Sequence, residues 1–388
     1  MIRIRTVTYN MPRDFGSLEL ERVRNAFGRW TESGYEVRTQ RISLPIYSVL
    51  HQDLIDGVAA FCASTGIRWF GISIDEDVTN YDEILIEDVL SKHKNAFVHM
   101  VCAKGGRVSA RAVRTISSQF LRNAEKDSQG LIGFRFGASN NVAPNGPFFP
   151  FTYSDGNHFG FSIGLELAHE INHLCKNEYT DINDFRAAII QTLEPQFAEL
   201  ERKAEEIAAL TGLTFDGIDF SLAPLPVAGS SVMTILNKLG ISNINDTGML
   251  FATAFLTKIL KGFAATHKSV GFSGVMYSLL EDSEYASMNS RGEYSINNMI
   301  ALSTMCGCGV DMIPIPIDTP EDAIRTILLE VACVSSRLHK PLGVRILPVR
   351  DCGDKDTHFT EETDFVINTK IVTSRCNSIG SFEGAYEF

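Results

Sequence analysis

The chain has 388 residues, 44% hydrophobic and 21% charged, a composition that suits a large folded core and excludes extensive disorder. Its 35 Lys and Arg against 47 Asp and Glu leave a net charge of −12. That balance disfavours nucleic-acid backbones and anionic membrane surfaces, so no nucleic-acid and no membrane partner is expected.

The opening Met1–Tyr9 alternates like a strand and lacks the apolar core of a signal peptide. Longer apolar stretches are broken by Gly, Asp or Lys before the roughly 18–20 residues a membrane span needs. Eight cysteines (62, 102, 175, 306, 308, 333, 352 and 376) read as reduced thiols in a chain without a secretion signal, and a cytoplasmic location is expected.

In chain order, strands are predicted at Arg3–Tyr9, Tyr35–Ile42, Trp69–Ile74 and Ala96–Cys102, with helices at Ser17–Ser33, Leu50–Gly66, Ile84–Lys94 and Ser109–Ala124. This rhythm implies parallel strands with helices packed over them. The Gly- and Asn-rich stretch Gly137–Gly146 and then Pro147–Pro150 read as loop. Phe159–Leu165 reads as a strand leading into a helix at Leu167–Lys176. The strongest helix is Asp184–Leu210, with Pro195 expected to kink it and Gly212 to cap it.

Strands are further predicted at Gly217–Leu222, Gly271–Leu280, Val310–Ile315, Leu342–Val349 and Asp364–Thr369. Helices are predicted at Ser231–Leu239, Gly248–Phe263, Ile296–Met305 and Pro320–Leu338. With no internal repeat and no flexible linker, one α/β domain over 1–388 is expected, with a loop-rich tail from about 351.

Several segments carry a resemblance. They are Pro147-Phe148-Phe149-Pro150 followed by Phe161–Glu166; Asp219–Pro226; Phe272-Ser273-Gly274 with Glu281-Asp282 a strand-length later; Cys306–Pro320; and Val344–Val349. The set resembles the domain-of-unknown-function 711 family, an uncharacterised protein family. The last four stand in the family's order and approximate spacing, and the match is weaker before residue 140.

The resemblance implies a ten-stranded α/β barrel of two parallel half-sheets with a loop entering its centre, similar to pyruvate formate-lyase and the large ribonucleotide reductase subunit. It also implies a homodimer, but no reaction. Glycyl-radical enzymes carry their radical glycine in a C-terminal Arg-Val-x-Gly-aromatic context. The tail from Asn377 to Phe388 has glycines without that context, so a glycyl radical is not expected.

His169-Glu170-Ile171-Asn172-His173 is an H-E-x-x-H sequence. On a helix its two histidines share a face that can hold Zn²⁺, with Glu170 activating bound water. Glu166, one turn earlier, would complete a two-His-one-carboxylate metal set for Zn or Fe with His169 and His173. The plainer reading is two histidines on a half-buried helix face, and no clear third protease ligand follows the motif.

Cys306-Gly307-Cys308-Gly309 reads as a sharply bent loop that could present Cys306 to a central cavity, or as a structural thiol beside a turn. The carboxylates Asp219, Glu281, Asp282 and Asp311 fall at predicted strand ends, where α/β proteins bind ligands, and are candidates for acid–base work. Arg345 reads as an anion clamp or a structural ion pair. With Ser221 and Ser273 it makes up the candidate substrate-binding set. Pro147–Pro150 with Tyr153-Ser154-Asp155-Gly156 could form an aromatic lid or simply a packed loop.

No G-x-G-x-x-G after a strand, Walker A or G-x-S-x-G sequence is present, so no nucleotide cofactor is expected. The favoured expectation is an enzyme acting on a small polar metabolite in a barrel cavity by carboxylate and His acid–base chemistry, with a divalent metal as a candidate cofactor. The alternatives are a non-catalytic ligand-binding or regulatory protein, and a zinc-dependent hydrolase using residues 169–173.

Overall fold

The first strand, β1 (Ile4–Asn10), is buried at every position, as a strand covered on both faces requires. In the computed structural model, residues 2–48, 50–75, 85–350, 364–373 and 385–387 are described. After β1 come α1 (Ser17–Thr31), β2 (Val37–Tyr47), α2 (Gln52–Thr65), β3 (Trp69–Ile74), α3 (Ile86–Lys92), β4 (Ala96–Lys104) and β5 (Arg107–Ser109). The middle of the chain forms α4 (Ala110–Lys126), α5 (Leu131–Phe134), β6 (Phe136–Asn140), β7 (Gly160–Leu165), α6 (Leu167–Leu174), α7 (Ile182–Thr211), β8 (Thr214–Asp219), α8 (Val232–Lys238) and α9 (Met249–Thr266). A 3₁₀ turn at Leu279–Glu281 leads to α10 (Ser283–Ser290), α11 (Ile296–Leu302), β9 (Gly309–Pro316), α12 (Glu321–Leu338), β10 (Leu342–Val349) and β11 (Ala385–Glu387).

The hydrogen-bonded sheet runs β8-β7-β1-β2-β3-β4-β6-β10-β9, with β5 and β11 paired off this path. Strands β1, β2, β3, β4 and β6 are mutually parallel, as the alternating pattern of the first third predicts. β7 joins β1 antiparallel and β10 joins β6 antiparallel, while β8 and β9 run parallel to β7 and β10 respectively. Helix α7 continues through Pro195, and Gly212 caps it at φ 70°. Helix α9 is long and apolar enough to cross a membrane by length and composition, which the sequence reading did not anticipate. Met249, Ala252, Leu256, Leu260 and Phe263 along it are buried.

Between β8 and β9 the regular ladder stops, so the expected barrel is not closed by continuous hydrogen bonding. The predicted strand Gly271–Leu280 is irregular: together with the residues just before it, it touches its neighbours through single parallel bridges, Ile218 with Ser269, Leu222 with Val275, and Ser278 with Asp311. The cause lies in its backbone donors. Phe272 N and Ser273 N donate to the Asp219 carboxylate at 2.8 and 2.9 Å, and Tyr277 N donates to Cys308 Sγ at 3.1 Å. Gly271 (φ 71°) and Ser273 (φ 45°) also leave the β region. Donors spent on side chains cannot build a ladder.

Two other predictions needed correction. Residues 136–140, within and beside the stretch read as loop, form strand β6. Asp364–Thr369 is not a regular strand but part of a strap, pinned where Ile367 N donates to Leu280 O and Val372 N to Pro314 O. Most of the predicted tail, including Cys352, Cys376 and the tail glycines, lies outside the described residues.

Candidate functional site

The loop 146–152 pushes three phenylalanines against the sheet, and glycines make the room. A Cβ placed on Gly71 of β3 would stand 3.1 Å from the Phe149 ring, and one on Gly164 of β7 would stand 3.1 Å from Phe148. A Cβ on Gly137 of β6 would stand 2.6 Å from Phe151 Cε1, and one on Gly343 of β10 would stand 2.5 Å from Phe151 Cζ. Real Cβ atoms essentially never come as close as those on Gly137 and Gly343 would, and those on Gly71 and Gly164 would be unusually tight, so glycines on four strands make the seat for the finger. Thr8 Oγ1 donates to Pro147 O at 3.0 Å and Ser73 Oγ to Thr152 O at 3.1 Å, tying its two ends to β1 and β3.

Beside the finger lies a small cavity of about 40 Å³. Its aromatic walls include Trp69, Phe97, Phe149 and Phe365, and five charged side chains line it: Arg5, Arg41, Arg345, Glu281 and Asp311. All five are buried, none more than 9% exposed. Charges stay buried only when paired or recruited for function.

Arg345 is paired: its Nε and Nη2 donate to the two Asp311 oxygens at 2.5 and 2.7 Å, a bidentate fork. Burial opposes the charge on Arg345, but Asp311 and Glu281 outweigh it and raise its pKa. Glu281 lies 3.4 Å from Arg5 and 3.6 Å from Arg345, and Arg5 also donates to Pro224 O at 2.5 Å. Phe365, carried by the strap, packs on Trp69 at 4.8 Å and covers this end of the cavity.

The two cysteines divide their roles. Cys308, not Cys306, lines the cavity, although both are buried. The Cys308 thiol donates to Cys306, which with Lys340 and the backbone N–H groups of Gly309 and Cys308 lowers the Cys306 pKa against the opposing effect of burial. Cys308 is pushed the other way, by that same hydrogen bond and by burial. Cys306 is therefore the more acidic partner, and Cys308 is the one that faces the cavity.

Of the residues picked from sequence, Glu281, Asp311 and Arg345 converge on this cavity. The others do not. Asp219 is fully buried and accepts from Ser221 N, Ser221 Oγ, Phe272 N and Ser273 N, so it staples β8 to the 271–273 turn. Burial raises its pKa against those bonds. Ser221 is spent on Asp219, and Ser273 Oγ accepts from Phe220 N at 3.2 Å. Asp282 is the N-cap of α10, accepting from Glu284 N and Tyr285 N, and it also takes Ser231 Oγ and Val232 N.

The H-E-x-x-H sequence does lie on a helix, α6, and its two imidazoles are neighbours with centroids 5.0 Å apart. Helix α6 begins at Leu167, so Glu166 is its N-cap, and both Glu166 oxygens are held by Arg38 in an ion pair. His169 Nδ1 is buried without a hydrogen-bond partner among the described residues, while His173 is exposed. Neither histidine nor Glu170 lines the cavity. Among the described residues no cluster of three or more His, Cys, Asp or Glu could hold a metal ion, so the expected three-ligand set does not fit. We expect metal analysis of the purified chain to give the same content for wild type and for the His169→Ala/His173→Ala double variant. Stoichiometric metal lost in that variant would restore a two-imidazole site.

Arg5, Arg41, Ser278 and Cys308 are polar residues of the cavity that were not among the candidates from sequence. The cavity also lies by the amino ends of β3, β4 and β9, where Trp69, Phe97 and Asp311 stand, rather than at the carboxyl ends expected of α/β sheets.

Fold and site together define a mixed α/β protein with an aromatic finger and a buried, charge-lined cavity. The family model "Uncharacterised ACR (DUF711)" matches residues 19–359, and the chain belongs to that family. It is 33% identical over 151 residues to a "UPF0210 protein" of Pyrobaculum arsenaticum, a stretch covering 38% of this chain and 34% of that protein. Longer matches are to a "UPF0210 protein" of Pyrobaculum islandicum (26% identical, 87% of this chain, 80% of the relative) and one of Desulfovibrio desulfuricans (28%, 82% and 76%). The chain thus spans about a third of the first relative's length in alignment and about three-quarters or more of the other two.

Proposed function

We propose that this chain is an enzyme that binds a small polar molecule in the cavity beside the aromatic finger and acts on it by acid–base chemistry. The observation that carries the reading is the convergence of Arg5, Arg41, Arg345, Glu281 and Asp311, from separate elements, on one buried space. Isolating so much charge is costly to folding, and such clusters in clefts mark functional sites. Glu281 is the proton-handling group. It is held between two guanidiniums without the bidentate lock that occupies Asp311, so its oxygens can exchange a proton with a ligand. Cys308 presents a thiol on the same wall.

The sheet is read as a ten-stranded barrel whose last seam is the 268–278 segment. Parallel bridges on both of its sides support that closure, as does a finger loop packed against the glycines of β3, β6, β7 and β10. A small-metabolite panel incubated with the full chain and followed by mass spectrometry tests the enzyme. A converted compound should lose about 10²-fold or more in rate with Glu281→Gln while its thermal stabilisation of the protein persists. Binding without turnover by wild type would favour the non-catalytic ligand-binding alternative.

A further inference from the structure

We infer that the cavity recognises an anionic group, a carboxylate or a phosphate, seated on the guanidinium of Arg41 with a flat or apolar remainder against Trp69 and Phe149. The inference rests on the cavity being the ligand site proposed above, and it names the ligand's chemistry.

The charge count comes first. Three guanidiniums face two carboxylates, so the described lining carries one excess positive charge. Arg345 is locked on Asp311, and Glu281 stands between Arg5 and Arg345. Arg41 is left over. Its Nε donates to Thr39 Oγ1 at 3.0 Å, and among the described residues no carboxylate lies within ion-pair distance of it. Its guanidinium lies 4.7 Å from the centroid of Trp69 and 5.2 Å from that of Phe149, contacts that orient the planar fork without neutralising it. Burial, and then the neighbouring Arg5, depress its pKa, which is the strain an anionic ligand would relieve.

A second observation points the same way. Ser278 lines the cavity, is 1% exposed, and its Oγ has no hydrogen-bond partner among the described residues. Among the described residues, a buried hydroxyl without a hydrogen-bond partner and a buried guanidinium without a direct ion pair line the same cavity, and both are donors for ligand oxygens. Arginine suits both carboxylate and phosphate because its fork matches either pair of oxygens. The surrounding rings exclude water, which strengthens the contact and selects a compact ligand.

The experiment is thermal unfolding of the full chain, at constant ionic strength, with benzoate, benzamide or inorganic phosphate. Benzoate should raise Tm by about 2–4 °C at saturation, and isosteric neutral benzamide should not. A shift with phosphate but not benzoate would assign the phosphate source, and the reverse would assign the carboxylate.

Arg41→Met should lose the anion response. In the absence of ligand it should also melt a few degrees higher than wild type, because an unpaired buried charge has been replaced by an apolar stem. An arginine with a purely structural role would give a lower melting point instead. Arg41→Lys, which keeps the charge without the fork, is the second variant and should respond at least tenfold more weakly. Equal stabilisation by benzamide, no response to either anion, or a benzoate shift undiminished in both variants would overturn the inference. A neutral metabolite converted by wild type would sink the inference and leave the enzyme standing. Benzoate binding lost in Arg41→Met, with no turnover of any compound, would do the opposite.

Discussion

Arg345→Ala should destabilise the chain by about 3–5 kcal/mol, the largest effect expected of any single change in the cavity. The substitution removes the partner of Asp311 and one of the two cations beside Glu281, leaving buried carboxylates short of compensation. A packing loss adds to it, since the guanidinium also lies over the Phe134 and Phe151 rings. Chemical denaturation at neutral pH measures the change. The double variant Arg345→Met/Asp311→Leu should recover most of it, because replacing a buried pair by apolar side chains of similar size is close to neutral. A single variant within 1 kcal/mol of wild type would mean that water reaches the pair freely, and the cavity would then be an open groove.

That pair also shows how far the sequence could be read. Asp311 and Arg345 stand in apolar runs, Val310–Ile315 and Val344–Val349, where a lone charge is conspicuous and invites a functional or ion-pairing role. Glu281 was legible for a similar reason, at the end of a predicted strand. Arg5 and Arg41 were not. Each stands among other polar residues, Thr6 and Thr8 in Ile4–Tyr9 and Arg38, Thr39, Gln40 and Ser43 in Val37–Ile46, a mixture that ordinarily means a solvated face. Here both faces of β1 are buried, and the polar residues of β1 and β2 turn toward an interior.

The same geometry explains the strand that was missed at 136–140. Glycine reads as loop punctuation, yet Gly137 is a flat place in a buried strand kept clear for Phe151. Conversely, Asp219 and Asp282 looked catalytic because they sit at element ends. Element ends also leave backbone N–H groups unpaired, and those donors, rather than a ligand, are what the two carboxylates serve. Nothing local in a sequence separates the two cases.

The finger provides the second large expectation. Gly343→Ala should cost about 1–3 kcal/mol or more, since the new Cβ would fall 2.5 Å from Phe151 Cζ, inside a ring wedged between β6 and β10. The penalty is steric rather than conformational, because Gly343 lies in a regular strand paired with Gly309. Phe151→Leu combined with Gly343→Ala should therefore be more stable than Gly343→Ala alone, a coupling that a double-mutant cycle reads directly.

The finger also walls the cavity through Phe148, Phe149 and Phe151, so displacing it should weaken ligand-induced stabilisation even where the variant stays folded. Additive effects of the two substitutions would mean that Phe151 is free to leave its seat. The finger would then be a surface loop rather than the wall that sets the cavity's size and positions the Phe149 ring beside Arg41.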